Sequence, residues 1–354
     1  MSVIAVAIGL SLATSTIDPV KSEASAGPPR CATLTAAPIC RDTPNGVVVG
    51  MMGDGGEEAV ILAAEEAALA ERKWTSIFGI GPSPYAVVLD GALPAASLEH
   101  AGALRVLPWM SLSARRGMLE KGIRDAVARQ VPAAQVDALT AAAMLQAAPQ
   151  MQVSLDQSSQ PGVLSHELGH IWYILGFWAG APKGDDSYAS PAPDWLDEAA
   201  AVLMESEAMA ERRRGAFHRV WNETPSPTAV SDLMAEVHPA FASGANVQAL
   251  TNGASTAEPV VMMISGEEFQ RRTGTNPAAA GAFYTRVRAF VDFIVAKTGD
   301  HEALVRLTAH LRAGGAVADW FAKDPAGRLL GGSLSGADRA FQTWADGIVM
   351  SSSS

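Results

Sequence analysis

Five consecutive residues, His166-Glu167-Leu168-Gly169-His170, have the types and the spacing to hold a metal ion and activate water. On a helix, positions i and i+4 share a face, so both imidazoles can reach one ion about 2 Å away. Glu167 then projects beside the ion rather than onto it. That is where a general base must stand to take a proton from water activated by the metal. The flanks agree with a helix: Pro161 suits a first turn, and Leu164, Leu168, Ile171 and Leu175 line a face distinct from that of the histidines.

A catalytic zinc site needs a third protein ligand and leaves its fourth position to water. A metzincin continuation would place Gly at position 173 and His at 176, whereas the chain has Tyr173 and Gly176. Further on stands Pro193-Asp194-Trp195-Leu196-Asp197-Glu198-Ala199-Ala200-Ala201. Asp194 can cap a new helix, Glu198 then falls at the end of its first turn, and the alanines allow this helix to approach the motif helix closely. The stretch from Ile171 to Asp197 is long enough to finish one helix, cross a loop and begin another. Glu198 is therefore the expected third ligand, with Glu205 and Glu207 as fallbacks that otherwise read as surface helix carboxylates. Asp197 reads as an N-terminal helix carboxylate stabilised by the dipole.

The elements that must position these groups are mostly helices. An amphipathic helix is expected over Glu57 to Trp74, bounded by Gly79, Gly81, Pro82 and Pro84. Tyr85 to Leu89 reads as a buried strand, Leu104 to Met110 as a second, irregular one, and Met151 to Leu155 as a further short strand. Residues 112–148 are Ala-rich and helical. From about 193 onward the apolar spacing is almost only helical, over 194–221, 228–239, 277–298, 301–313, 315–322 and 336–348. The fold class expected is α+β and helix-dominated, with a small N-terminal sheet subdomain (47–192) that includes the HExxH helix, and a helical C-terminal subdomain (193–350).

The remaining features bound the setting. With 354 residues, 48 % hydrophobic and 18 % charged, the chain can bury a sizeable core and is too apolar for a disordered one. Its net charge of −11 and the lack of any basic run longer than Arg212-Arg213-Arg214 exclude the electrostatic footprint of a nucleic-acid binder. Val3 to Ala13 is apolar over the length of an export signal core, with small-residue cleavage patterns at Ala13-Thr14-Ser15 and Ala24-Ser25-Ala26, although no Lys or Arg precedes it. Residues 1–26 are thus expected to be a signal peptide and the protein periplasmic or secreted, with no other segment apolar enough for a membrane helix. Residues 27–46 read as a linker, in which the chain's two cysteines, Cys31 and Cys40, are spaced to close a small disulfide loop.

His166-Glu167-Leu168-Gly169-His170 followed by Asp194-Trp195-Leu196-Asp197-Glu198-Ala199 resembles the gluzincin pattern HExxH…W-L-x-E-G/A-x-A, most of all that of the peptidase-MA-like proteins, relatives of thermolysin and the zinc aminopeptidases. The resemblance extends at lower specificity over residues 55–346. It implies a zincin-like fold, a zinc ion on His166, His170 and Glu198, and hydrolysis of peptide bonds by a metal-activated water with Glu167 as general base. Phe283-Tyr284 and the segment through Thr298-Gly299 look like the family's tyrosine-bearing helix, which gives Tyr284 the role of hydrogen-bond donor to the developing oxyanion. Two departures matter: Ala199 replaces the usual Gly, and no Gly-x-Met-Glu-Asn segment precedes the histidines. The second directs the expectation to an endopeptidase acting on a peptide or protein substrate. The alternative is a catalytically inactive exported zinc-fold protein that binds or scaffolds. Of the other residues, His238 could enter the cleft as an oxyanion donor, and Arg286 and Arg288 read as solvated helix charges or as binders of a substrate carboxylate.

Overall fold

Two short valine-rich runs form the centre of the only sheet of more than two strands among the described residues. The computed structural model describes residues 3–6, 27–34, 37, 39–53, 55–158, 161–180, 190–223, 229–239, 262–265 and 277–352. The chain divides into two compact units, Met1–Ala68 with Pro84–Gln160 and Ala245–Gly274, and Leu69–Ser83 with Pro161–Gly244 and Thr275–Ser354.

In the first unit, strands β2 (Ile39–Asp42), β3 (Gly46–Gly50), β4 (Tyr85–Leu89) and β5 (Arg105–Trp109) form a sheet in that order. β2 and β3 are an antiparallel hairpin closed at Pro44-Asn45, while β3–β4 and β4–β5 are parallel. Parallel neighbours need a crossover. Helices α1 (Gly56–Phe78) and α2 (Ala95–His100) supply them, α1 giving its C-terminal part to the second unit. All five residues of β3 and of β4 are buried, as expected of strands covered on both faces. Gly50 has no side chain because a Cβ there would lie 2.4 Å from Val60 Cγ2 of α1. Pro108, which cannot donate to a ladder, sits in the edge strand β5. The Cys31–Cys40 disulfide ties the 3₁₀ turn Cys31–Thr33 to β2. Helices α3 (Leu112–Ala128) and α4 (Ala133–Ser158) pack through Leu119, Ile123, Met151 and Leu155. β1 (Val3–Val6) pairs antiparallel with β6 (Met262–Ser265).

The second unit is helical: α5 (Val163–Phe177), α6 (Asp194–Met204), α7 (Glu207–Glu223), α8 (Val230–Ala235), α9 (Pro277–Thr298), α10 (Glu302–Arg312), α11 (Val317–Lys323), α12 (Pro325–Leu329) and α13 (Leu334–Ser352). Its aromatic core includes Trp195 against Phe290 at 5.3 Å, and Phe293 and Phe341 against Trp344 at 5.6 Å each. Trp74 and Phe78, at the end of α1, stack at 4.1 Å and meet Trp172 and Phe177 of α5.

The helix-dominated α+β class is as expected, with local differences. Residues 151–155 are helical, not a strand. α4 continues through Pro149, and the four-residue spacing of Met151 and Leu155 is what puts both on the α3 face. The 27–46 segment carries β2, whose sequence Ile-Cys-Arg-Asp shows no alternation for a periodicity to register. Pro132 divides 112–148 into α3 and α4, and 194–221 breaks at Glu205-Ser206. The helix expected over 228–239 is only α8, and the chain runs on extended through Glu236. Of the expected signal peptide, residues 3–6 form β1, and both cleavage patterns lie outside the described residues. No helix of the described residues is long and apolar enough to cross a membrane.

Candidate metal centre

Helix α5 is buried on nearly every side, which its composition permits: of its 15 residues the only charged or titrating ones besides Tyr173 are His166, Glu167 and His170. Pro161 precedes the helix rather than standing in its first turn, and the N-cap is Gly162, with the chain turned at φ 108°, a conformation side chains rarely adopt. A Cβ there would also meet Ser206 N at 2.5 Å. At Gly169 a Cβ would lie 2.8 Å from Ala201 Cα and 3.0 Å from Ala200 O. Glycine on one helix and alanines on the other therefore set the close approach of α5 and α6, and that approach brings Glu198 over the two histidines.

His166, His170 and Glu198 are buried, and one ligand atom from each lies within 4.8 Å of the others. Glu198 Oε2 is 3.3 Å from His166 Nε2 and 3.6 Å from His170 Nε2. Ligand atoms about 2.0–2.2 Å from a tetrahedral ion stand about 3.3–3.6 Å apart, so the spacing suits a shared cation. Neither Glu198 oxygen accepts a hydrogen bond among the described residues, although the side chain is 0 % exposed. A carboxylate so placed is costly unless positive charge compensates it. Burial pushes the Glu198 carboxyl up, but His170, His166 and His238 outweigh it and hold it at about 2. The donor set and this bare buried charge both fit a metal ion.

Around the three ligands stands a second set of contacts. His166 Nδ1 faces Glu205 Oε1 at 2.9 Å, and Arg213 holds both Glu205 oxygens, its Nε donating to Oε2 at 2.6 Å. Lys73 Nζ donates to the Glu205 backbone carbonyl. A histidine whose Nδ1 meets a carboxylate presents Nε2 to an ion in a fixed tautomer and orientation. Without an ion, burial draws the His166 imidazolium down, but Glu198 and Glu205 outweigh it and raise it to about 10. Burial lowers His170 against the pull of Glu198.

Tyr284, on α9, lies edge-on to His166 with ring centroids 5.6 Å apart, and the Arg213 guanidinium covers its ring at 4.9 Å. Burial, then the charges of Glu198 and Glu167, push its phenol well above the ordinary value, so the hydroxyl keeps its hydrogen. His238 Nε2 is 3.1 Å from Tyr284 Oη and 3.4 Å from Glu198 Oε1, and its backbone N–H donates to Asp194 Oδ2 at 2.7 Å. Burial lowers the His238 imidazolium, Glu198 opposing. Glu167 is only partly buried, beside two buried ligands.

The structure thus brings together His166, His170, Glu198, Glu167 and Tyr284. Expectations change at Glu205, Asp194 and Arg288. Glu205 is not a surface carboxylate: it is fully buried and serves His166. Asp194 does not cap α6, whose N-cap is Pro193; its carboxylate holds His238 instead. Asp197 stands in the first turn of α6, as expected; it is fully buried, accepts from Ser190 Oγ at 2.7 Å, and burial raises it to about 7. Glu207 is an exposed partner of Arg214. Arg286 is engaged with both oxygens of Glu236, and Arg288, buried, with Asp292 and the Val202 carbonyl. From the sequence Glu205 is expected only as a fallback ligand, not as the partner of His166, and Arg213 and Lys73 carry no spacing signal. A comparison of the chain with protein-family models, with curated proteins and with solved structures finds no match in any of the three.

Proposed function

We propose that this chain is a zinc-dependent metallopeptidase of the gluzincin type with a zincin-like fold, an exported endopeptidase that hydrolyses peptide bonds. The observation that carries the reading is Glu198, buried and, among the described residues, accepting no hydrogen bond, against the Nε2 atoms of His166 and His170. Two imidazoles and a carboxylate are a donor set that suits zinc and leaves a position open. Zinc bound there would supply Lewis acidity, polarising a carbonyl and lowering the pKa of water toward about 7.

The rest is the work of side chains. Glu167, next to a ligand and reached by solvent, takes a proton on its carboxylate from the attacking water and returns it to the leaving nitrogen. Tyr284 donates its hydroxyl hydrogen to the oxygen on which charge develops. Glu205 fixes the direction of the His166 ring. The Cys31–Cys40 disulfide supports an oxidising, exported setting.

The test combines metal analysis of the purified protein with cleavage of a peptide library. The expected result is one zinc per chain in wild type and in Glu167→Gln, with turnover only in the former. Equal cleavage rates for the two would overturn the mechanism.

A further inference from the structure

Tyrosine reaches a reacting centre on a long side chain, and its value as a donor depends on where its oxygen is held. Arg213 and His166 fix the ring of Tyr284 by its face and edge. Among the described residues neither is hydrogen-bonded to the hydroxyl. The described group within hydrogen-bond distance of Oη is His238 Nε2, at 3.1 Å.

His238 is itself firmly placed. It is 1 % exposed, its ring meets Phe283 edge-on at 5.2 Å, and its backbone N–H donates to Asp194 Oδ2 at 2.7 Å. Asp194 is the first residue of α6 and lies one helical turn before Glu198, so both project from the same side of that helix. His238 approaches Glu198 from the opposite carboxylate oxygen to the two ligands, Oε1 rather than Oε2, and does not belong to the three-residue ligand group. The succession Asp194, His238, Tyr284 therefore ties the phenol hydroxyl to the helix that carries the third ligand.

We infer that His238 is a positioning residue: its Nε2–H donates to Tyr284 Oη, holding the oxygen at the edge of the ligand cluster and leaving the phenol hydrogen free to be donated outward. The direction of this bond is the chemically informative part. Were Nε2 the acceptor, the tyrosine's one hydrogen would be spent on the histidine. With Nε2 as donor, Oη is an acceptor toward His238 and a donor toward a substrate oxygen. The contact itself is independent of any reaction, while its consequence for turnover rests on the peptidase reading above.

Two measurements on the full chain test this. In protein labelled with nitrogen-15 in histidine, the ring signals of His238 are assigned by their loss in His238→Phe. The expected spectrum has Nε2 protonated and Nδ1 not, and Tyr284→Phe shifts the Nε2 resonance. In the zinc-loaded protein, with zinc content measured for each variant, His238→Phe is expected to lower kcat about 10- to 100-fold with little change in KM. Tyr284→Phe should lower it as much, and the double variant no further. His238→Gln, which returns a donor near the Nε2 position, should recover most of the loss. An unprotonated Nε2, a resonance unmoved by Tyr284→Phe, or losses that multiply in the double variant would each overturn the inference. Should zinc-loaded wild type cleave nothing, the peptidase reading fails, and the nitrogen resonance alone then decides the contact.

Discussion

Glu205 meets His166 Nδ1 at 2.9 Å from a point just past the end of α6, the helix that delivers Glu198 to the other nitrogen of the same ring. One helix and its first following residue thus grip a single imidazole from both sides. Replacing Glu205 by Gln keeps the size but removes the charge. The expected result is a loss of about 10- to 100-fold in zinc affinity, read by competition against a chromophoric chelator.

Zinc loading should be coupled to proton release. In the ion-free protein His166 is raised from 6.5 to about 10, and Glu198 is held at about 2. At about pH 7.5 the imidazole must therefore surrender a proton to become a ligand, and calorimetric titration in buffers of different ionisation enthalpy should count about one proton per zinc. A count near zero would contradict the pairing.

The same shift sets a stability window for the ion-free protein. A group whose folded value is raised contributes fully below its unfolded value, here 6.5, and its contribution disappears as pH climbs through about 10. Chelator-treated protein should accordingly lose stability from its mildly acidic maximum across that range. Zinc-loaded protein, whose His166 is a neutral imidazole that keeps only its Nδ1 hydrogen, should lack this part of the slope. Urea unfolding at a series of pH values measures both.

Gly169→Ala places a methyl 2.8 Å from Ala201 Cα and 3.0 Å from Ala200 O. The backbone of α6 cannot yield without moving Glu198. Overpacking of this kind costs about 1–3 kcal/mol, and the expected variant melts earlier and holds zinc more weakly. Gly215→Ala, also on a helix but with nothing nearer than 3.7 Å, is the control and should do neither.

In the first unit, the Cys31–Cys40 bond closes a short loop against β2. Replacing both cysteines by serine should cost about 2–3 kcal/mol, seen as earlier loss of the sheet on heating. Protein kept in reductant should behave as the double variant does.

What could be read from the sequence depended on how local the physics was. His166 and His170 follow from helical spacing, and Glu198 from an acidic residue set in a Trp- and Ala-rich helix start. Tyr85 to Leu89 is a strand because five apolar residues stand between turn formers. Glu205 and His238 could be singled out as candidates, but not in the parts they take, because their contacts exist only once α5, α6 and the chain at Glu236 are brought together. Asp194 carried a true signal for a helix start, yet its carboxylate was claimed by a backbone N–H 44 positions away. Met151 to Leu155 deceived for the opposite reason: Met-Gln-Val-Ser-Leu alternates as a strand does, yet Met151 and Leu155 also stand four apart as on a helix, and the α3 face decided it.

Helix α6 has no side facing water: every residue from Asp194 to Met204 is buried. A rod enclosed on all faces cannot change one side chain without disturbing a neighbour, so its eleven positions are closed to gradual remodelling. Whatever molecule the centre acts upon, tuning for it has to be done by the surrounding walls, while this inner strut stays as it is.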